Sequence, residues 1–180
     1  MQESERLDDH HRCSGRYETL LDSIAAGELE LARRIVSLSP KEWRKEHEYE
    51  DDYCYAQVLS RFVQVVPPGE EILQIFDQFE AYLSGESNAR FVLCQAMLAG
   101  DQDTFDEAFD ALLDEQEAKI EADIVRGELE EPQVIAQRQV FVEGLAILRL
   151  AEKLGLTTQP EYKYCPSLAR VPMQEPFPGE

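Results

Sequence analysis

Positive charge is what this 180-residue chain has least of: 17 Lys and Arg stand against 37 Asp and Glu, for a net charge of −20. A surface this acidic repels phosphate, which argues against nucleic acid and against anionic membrane as direct partners. It favours a basic partner or, more plainly, high solubility. Histidine is scarce, and within the region expected to fold only His47 remains, set among charges before a helix. That is the setting of a surface histidine rather than a general base. The four cysteines, Cys13, Cys54, Cys94 and Cys165, form no CxxC pair. Free thiols are expected, with Cys54 and Cys94 buried as small hydrophobes. No apolar run is long enough to span a bilayer. The polar N-terminus shows no apolar signal segment, so a cytoplasmic location is expected. A Gly-rich phosphate loop, an HExxH helix and a Gly-x-Ser-x-Gly elbow are all missing. The cluster Asp8, Asp9, His10, His11 and Cys13 matches no closed zinc spacing. Carboxylates are so abundant that no pair marks an acid–base site. An enzyme is not expected, and no cofactor or metal is assigned. Alternating strand patterns are also missing.

What the chain does have is helical periodicity. The segment Phe141 to Gly155 is apolar on nearly every face: Phe141, Leu145, Leu148 and Ala151 form one stripe, Ile147 and Leu154 flank it, and Val142, Ala146 and Leu150 widen it. A helix apolar almost all round is buried by its neighbours. It predicts a central helix near 133–154, with Gly144 admitting a close helix neighbour and Gly155 as a left-handed cap. Before it, Arg16–Ala26 and Leu29–Leu38 read as a helical hairpin broken at Gly27, the second helix turning Leu31, Ile35 and Leu38 inward. Ser39-Pro40-Lys41-Glu42 has the form of an N-terminal capping box with proline at the first helical position. Trp43 reads as a packing anchor. Further helices are predicted over 48–66 (Tyr55, Leu59, Phe62 inward), 70–84 (Ile72, Ile75, Phe76, Phe79, Leu83), 88–99 (Phe91, Cys94, Met97) and 101–126. After Gly155 the chain turns proline-rich and loses its period, which predicts an extended strap anchored by Tyr162, Tyr164, Leu168 and Val171. The expected fold is all-α: stacked, repeat-like helical hairpins around a buried central helix, closed by that strap. One helical domain is expected over 16–172, with a loosely ordered lead over 1–15 and a tail over 173–180.

The helix over 101–126 carries the clearest surface pattern. Phe105, Phe109, Leu112, Leu113, Ile120 and Ile124 form its core face. On the opposite face Asp103, Glu107, Asp110, Asp114, Glu117 and Glu121 repeat at alternating spacings of four and three. At 1.5 Å rise per residue this makes a negative ridge about 27 Å long. Like charges at this spacing weaken a helix by a few tenths of a kcal/mol each, so the ridge calls for tertiary support or a cationic partner. A second acidic patch, Glu50, Asp51 and Asp52, sits at a helix start, where it suits the helix dipole. Both are taken as candidate partner-binding surfaces, the ridge first. On the apolar helix, Glu143 and Arg149 point to different sides. They are read as structural charges, each paired with another helix, with Arg61 or Arg90 available to Glu143.

The segment FVEGLAILRLAEKLGL followed by EYKYCPSLARVP, preceded by EYEDDYCYAQVL and TFDEAFDALLDEQEAKIE, resembles the immunity protein 49 family of bacterial polymorphic toxin systems over roughly 48–172. The resemblance implies a small cytosolic helical protein that binds a cognate toxin, a secreted effector such as a nuclease, and neutralises it by direct contact. The residues themselves leave two rivals open: a helical-repeat adaptor or scaffold with an endogenous basic partner, and a metal-dependent helical enzyme.

Overall fold

The computed structural model describes Cys13 and residues 17–64, 69–127 and 138–171. Among these lie seven α-helices and no strand: α1 (Glu18–Ala25), α2 (Leu29–Leu38), α3 (Glu50–Val63), α4 (Glu71–Leu83), α5 (Ala89–Ala99), α6 (Gln102–Val125) and α7 (Val142–Leu154), then a 3-10 turn at Ser167–Arg170. The all-α expectation holds. Successive helices pack as pairs, α1 with α2, α3 with α4 and α5 with α6, while α7 returns to pack chiefly on α1 and touches α3, α5 and α6 as well. Helix α7 therefore occupies the centre, and Ala146, Ile147, Leu148, Leu150 and Ala151 on it are fully buried.

That central helix opens later than its periodicity suggests. Phe141 is extended, and its N–H donates to the carbonyl of Tyr164 at 2.8 Å. The backbone group that would continue a helix upstream is thus spent on the C-terminal segment. Residues 133–137 lie outside the described residues. Gly155 ends α7 at φ 95°, the left-handed cap that glycine favours. Gly144 does admit a close neighbour, but it is not a helix. A Cβ there would stand 2.6 Å from Cys165 Sγ and 2.7 Å from Phe141 Cδ1.

Local chemistry explains the helix boundaries. Asn88 accepts from the Phe91 N–H at 3.0 Å to open α5, and Asp101 accepts from the Thr104 N–H at 3.2 Å to open α6. These are the side-chain types that satisfy the free N–H groups of a first turn. The C-terminal end of α3 is held by cations from two other helices. Lys153 Nζ donates to the Phe62 and Gln64 carbonyls, both at 2.7 Å, and Arg33 Nε donates to the Val63 carbonyl at 3.1 Å. Positive charge there complements the free carbonyls and the helix dipole.

Three sequence expectations fail in instructive ways. Ser39 opens no helix: its hydroxyl reaches back to the Ile35 carbonyl at 2.9 Å, and Lys41 Nζ donates to the Val36 carbonyl at 2.8 Å, so both close α2 instead. Back-bonding of serine to a preceding carbonyl competes with forward capping. On α2 the inward face belongs to Ala32 and Val36, while Leu31 and Leu38 are exposed. On α6 Ile124 is exposed and Asp123 is buried, so the apolar stripe slips in its last turn.

The inward stripes of α3, α4 and α5 are as expected: Tyr55, Leu59, Phe62, Ile72, Phe76, Phe79, Phe91, Cys94 and Met97 are all buried. Trp43 is half-buried and its indole N–H donates to the Glu48 carbonyl at 3.4 Å. All four cysteines are free and buried. Burial pushes the Cys54 and Cys165 thiols up to about 12, which suppresses thiolate chemistry at neutral pH. Beyond α7, Tyr162 packs edge-on against Phe109 with ring centroids 4.9 Å apart, whereas Leu168 and Val171, also expected as anchors, are exposed. Of the expected N-terminal lead only Cys13 falls among the described residues, and the tail over 173–180 lies outside them.

Candidate partner-binding face

Helix α6 packs chiefly on α5 and buries Phe105, Ala108, Phe109, Leu112 and Leu113. Its outward face places Asp103, Glu107, Asp110, Asp114 and Glu121 in solvent. Among the described residues none of these five carboxylates takes a hydrogen bond or ion pair. Glu117, in the same row, is half-exposed and paired with Lys163 from the C-terminal segment. The neighbours that flank the row are also engaged. Asp106 accepts from Gln102 Nε2 at 3.0 Å, Glu115 lies 3.7 Å from Arg90, and Asp123 pairs with Arg126. At the head of the helix, hydrogen bonds from the Thr104 hydroxyl and N–H hold the Asp101 carboxyl below its ordinary range. The structure thus keeps the ridge continuous from Asp103 to Asp114, with its far end partly neutralised at Glu117.

The second patch is turned partly inward. Glu50 accepts from Gln78 Nε2 at 2.8 Å, tying α3 to α4, and Asp52 accepts from the Tyr17 hydroxyl at 3.2 Å. Asp51 Oδ1 is buried without a hydrogen-bond partner. Desolvation first, and then the adjacent Asp51 charge, raise the Asp52 carboxyl above its ordinary range. Exposed Tyr49 and Tyr82 flank the patch. It stands on α3 and the ridge on α6.

Between them lies a polar knot. Arg90 on α5 grips Glu143 on α7 with two parallel hydrogen bonds, Nε to Oε1 at 2.6 Å and Nη2 to Oε2 at 2.8 Å. This is the fork geometry that makes Arg–carboxylate pairs strong. The guanidinium also sits 5.8 Å from the centre of the Tyr55 ring, and Tyr17 meets that ring edge-on at 5.2 Å. The Tyr55 hydroxyl is buried without a partner, and desolvation, then the Glu143 charge, push its ionisation far up. The Tyr17 hydroxyl is raised as well, by burial and then by Glu143 and Asp52. Of the two partners open to Glu143, Arg90 is the one used. Arg149 lies over the turn at Gly27, with its guanidinium carbon 3.7 Å from where a Cβ would stand, and its Nε is buried without a hydrogen-bond partner, so the expected pairing with another helix is seen for Glu143 and not for Arg149. Tyr17 and Tyr55 give no sign in the sequence beyond aromatic spacing.

Arg170 is a further residue that sequence reasoning passes over. Its side chain is nearly buried and donates to Glu152, Thr158 and the Gln159 and Pro160 carbonyls, at 2.6–3.0 Å. The bonds fasten the C-terminal turn to α7. Among the described residues no three His, Cys, Asp or Glu side chains are placed to hold a metal ion. His47 is exposed, and the cluster at Asp8 to His11 lies outside the described residues. No helix among the described residues is long and apolar enough to cross a membrane.

Comparison with known proteins returns one family. The model described as immunity protein 49 matches residues 1–169, and so takes in α1 and α2, which the resemblance over 48–172 leaves aside. No curated protein and no solved structure matches the chain.

Proposed function

The chain belongs to the immunity protein 49 family, and from that premise we propose that it binds a cognate antibacterial toxin and neutralises it by direct contact, without catalysis. The observation that supports the α6 face as the contact is a row of unpartnered carboxylates along one helix. Glu143, Glu115, Glu117, Glu152 and Glu161 all hold partners within the chain, whereas Asp103, Glu107, Asp110, Asp114 and Glu121 hold none among the described residues. Unpaired acids in a row repel one another and gain from a cationic surface. A toxin with a basic cleft, such as a nuclease, offers that surface, and the charge on the two sides speeds encounter and selects against other partners. The patch at Glu50, Asp51 and Asp52 ranks second, because Glu50 and Asp52 are already committed to Gln78 and Tyr17. The net charge of −20 disfavours nucleic acid and anionic membrane as alternatives.

The test is protection of a cell that expresses the toxin from the open reading frame adjoining the gene. Glu107→Lys, Asp110→Lys and Asp114→Lys together abolish protection while the melting temperature holds. Glu117 is left in place because its reversal would also break the ion pair with Lys163. Full protection by the triple variant would move the contact off α6, with the Tyr49 and Asp51 side as the next candidate.

A further inference from the structure

Beside the ridge, a groove of about 250 Å³ runs between α5 and α6. Ala89 and Val92 on α5 and Ala108 and Ala111 on α6 line it, together with Ser87, Thr104, Glu107 and Glu115. Three of its four apolar lining residues are alanine. Longer side chains at these points would interlock across the pair as packed helices normally do, and the short ones leave a slot open to solvent. The two acids differ. Glu115 shares Arg90 at 3.7 Å, while Glu107 belongs to the unpartnered row. The slot therefore sets alanine and valine surface beside polar residues, two of them acidic.

Charged rows alone make weak interfaces, since exposed ion pairs contribute little once solvent and salt screen them. Tight interfaces take most of their energy from a few side chains inserted into desolvated pockets, with charges around them steering approach. We infer that the α5–α6 groove receives one aliphatic side chain from a cationic segment of the toxin, whose flanking lysines or arginines lie over Glu107 and the adjoining ridge. This deepens the reading of α6 as the contact face and rests on it. Charge complementarity chooses the occupant: a neutral or acidic segment would meet the Glu107 side of the slot unfavourably, and a purely cationic one would leave its alanines uncovered.

The experiment uses the isotope-labelled full chain at low salt and two five-residue peptides, each with two lysines on either side of a central leucine or glycine. Both peptides shift the amides of Asp110 and Asp114. Only the leucine peptide shifts Ala89, Val92, Ala108 and Ala111, and it binds about tenfold more tightly, as burial of one leucine side chain implies. Ala111→Phe, at an exposed helix position, fills the slot and removes the leucine preference without removing the ridge shifts. Equal affinities with a silent groove, or a leucine preference that survives Ala111→Phe, would overturn the groove while leaving the ridge reading intact. If neither peptide moves any amide on α6, the ridge reading falls and the groove with it.

Discussion

Helices α7 and α6 use the same carboxylates to opposite ends. On α7 Glu143 points into the molecule, meets Arg90 in a two-bond fork and helps hold α5 to α7. On α6 Asp110 and Asp114 point out of it, four residues apart, with no partner among the described residues and only repulsion between them. Removing the first should cost the fold and spare the partner. Removing the second should do the reverse. The contrast teaches that charge count says little by itself; carboxylates with a partner inside the chain hold the scaffold, and those without one are free to meet something outside it.

The strongest way to break the contrast is at Glu143. Glu143→Ala strands the Arg90 guanidinium against Glu115 alone. Fully buried pairs broken in this way cost about 3–5 kcal/mol. Arg90 is about one-third exposed, so a smaller loss of about 2–3 kcal/mol is expected, read as a melting temperature lowered by about 5–10 °C. An unchanged melt would remove Glu143 from the scaffold. Gly144→Ala comes next. Alanine favours a helix by about 1 kcal/mol over glycine, but its Cβ would collide with Cys165 Sγ and Phe141, and overpacking of this kind costs about 1–3 kcal/mol. Net destabilisation follows, and Cys165→Ala in the same chain should recover part of it, a coupling that a double-mutant cycle measures. At a solvent-facing α6 position such as Ala111 a larger side chain should be nearly silent in the same assay.

Asp52 sits between the two regimes, half-buried and held by Tyr17. Its folded pKa is raised above the ordinary carboxylate value. The stability linked to its protonated form is therefore present below the unfolded pKa and lost as pH rises through the folded one. Asp52→Asn should melt about 2 °C higher than the parent at neutral pH, and the difference should vanish on acidification below about pH 4. A gap that widens toward acid would reverse the assignment. The smallest thermal effect belongs to the ridge. Glu107→Lys, Asp110→Lys and Asp114→Lys relieve like-charge neighbours worth a few tenths of a kcal/mol each, so the melt should hold or rise by about 1 °C.

Much of this was legible from periodicity. The buried faces of α3, α4 and α5 follow their apolar spacing, and a nearly all-apolar segment does lie at the centre as α7. The partner of Glu143 was narrowed to two arginines. What stayed hidden depends on contacts distant in sequence. Nothing around Tyr17 announces that its hydroxyl meets Asp52, 35 residues away. Arg170 finds backbone carbonyls in a segment without a period. At Ser39 the local pattern for opening a helix was present, yet the hydroxyl turned back to close one. On α2 the small Ala32 faces inward in place of Leu31, a choice made by neighbouring helices rather than by hydrophobicity. For the ridge, the sequence gives the row of acids, but which of them are committed to Lys163, Arg90 or Gln102 appears only once the chain is folded.

The association rate of purified toxin with the parent chain and with the triple lysine variant, followed from about 0.05 to 0.5 M salt, tests the division between inner and outer acids most directly. The parent should associate fast at low salt and slow steeply as salt rises, while the variant should be slow throughout with a nearly flat salt dependence. Matching rates and slopes for the two proteins would contradict the assignment of the α6 carboxylates to the contact surface.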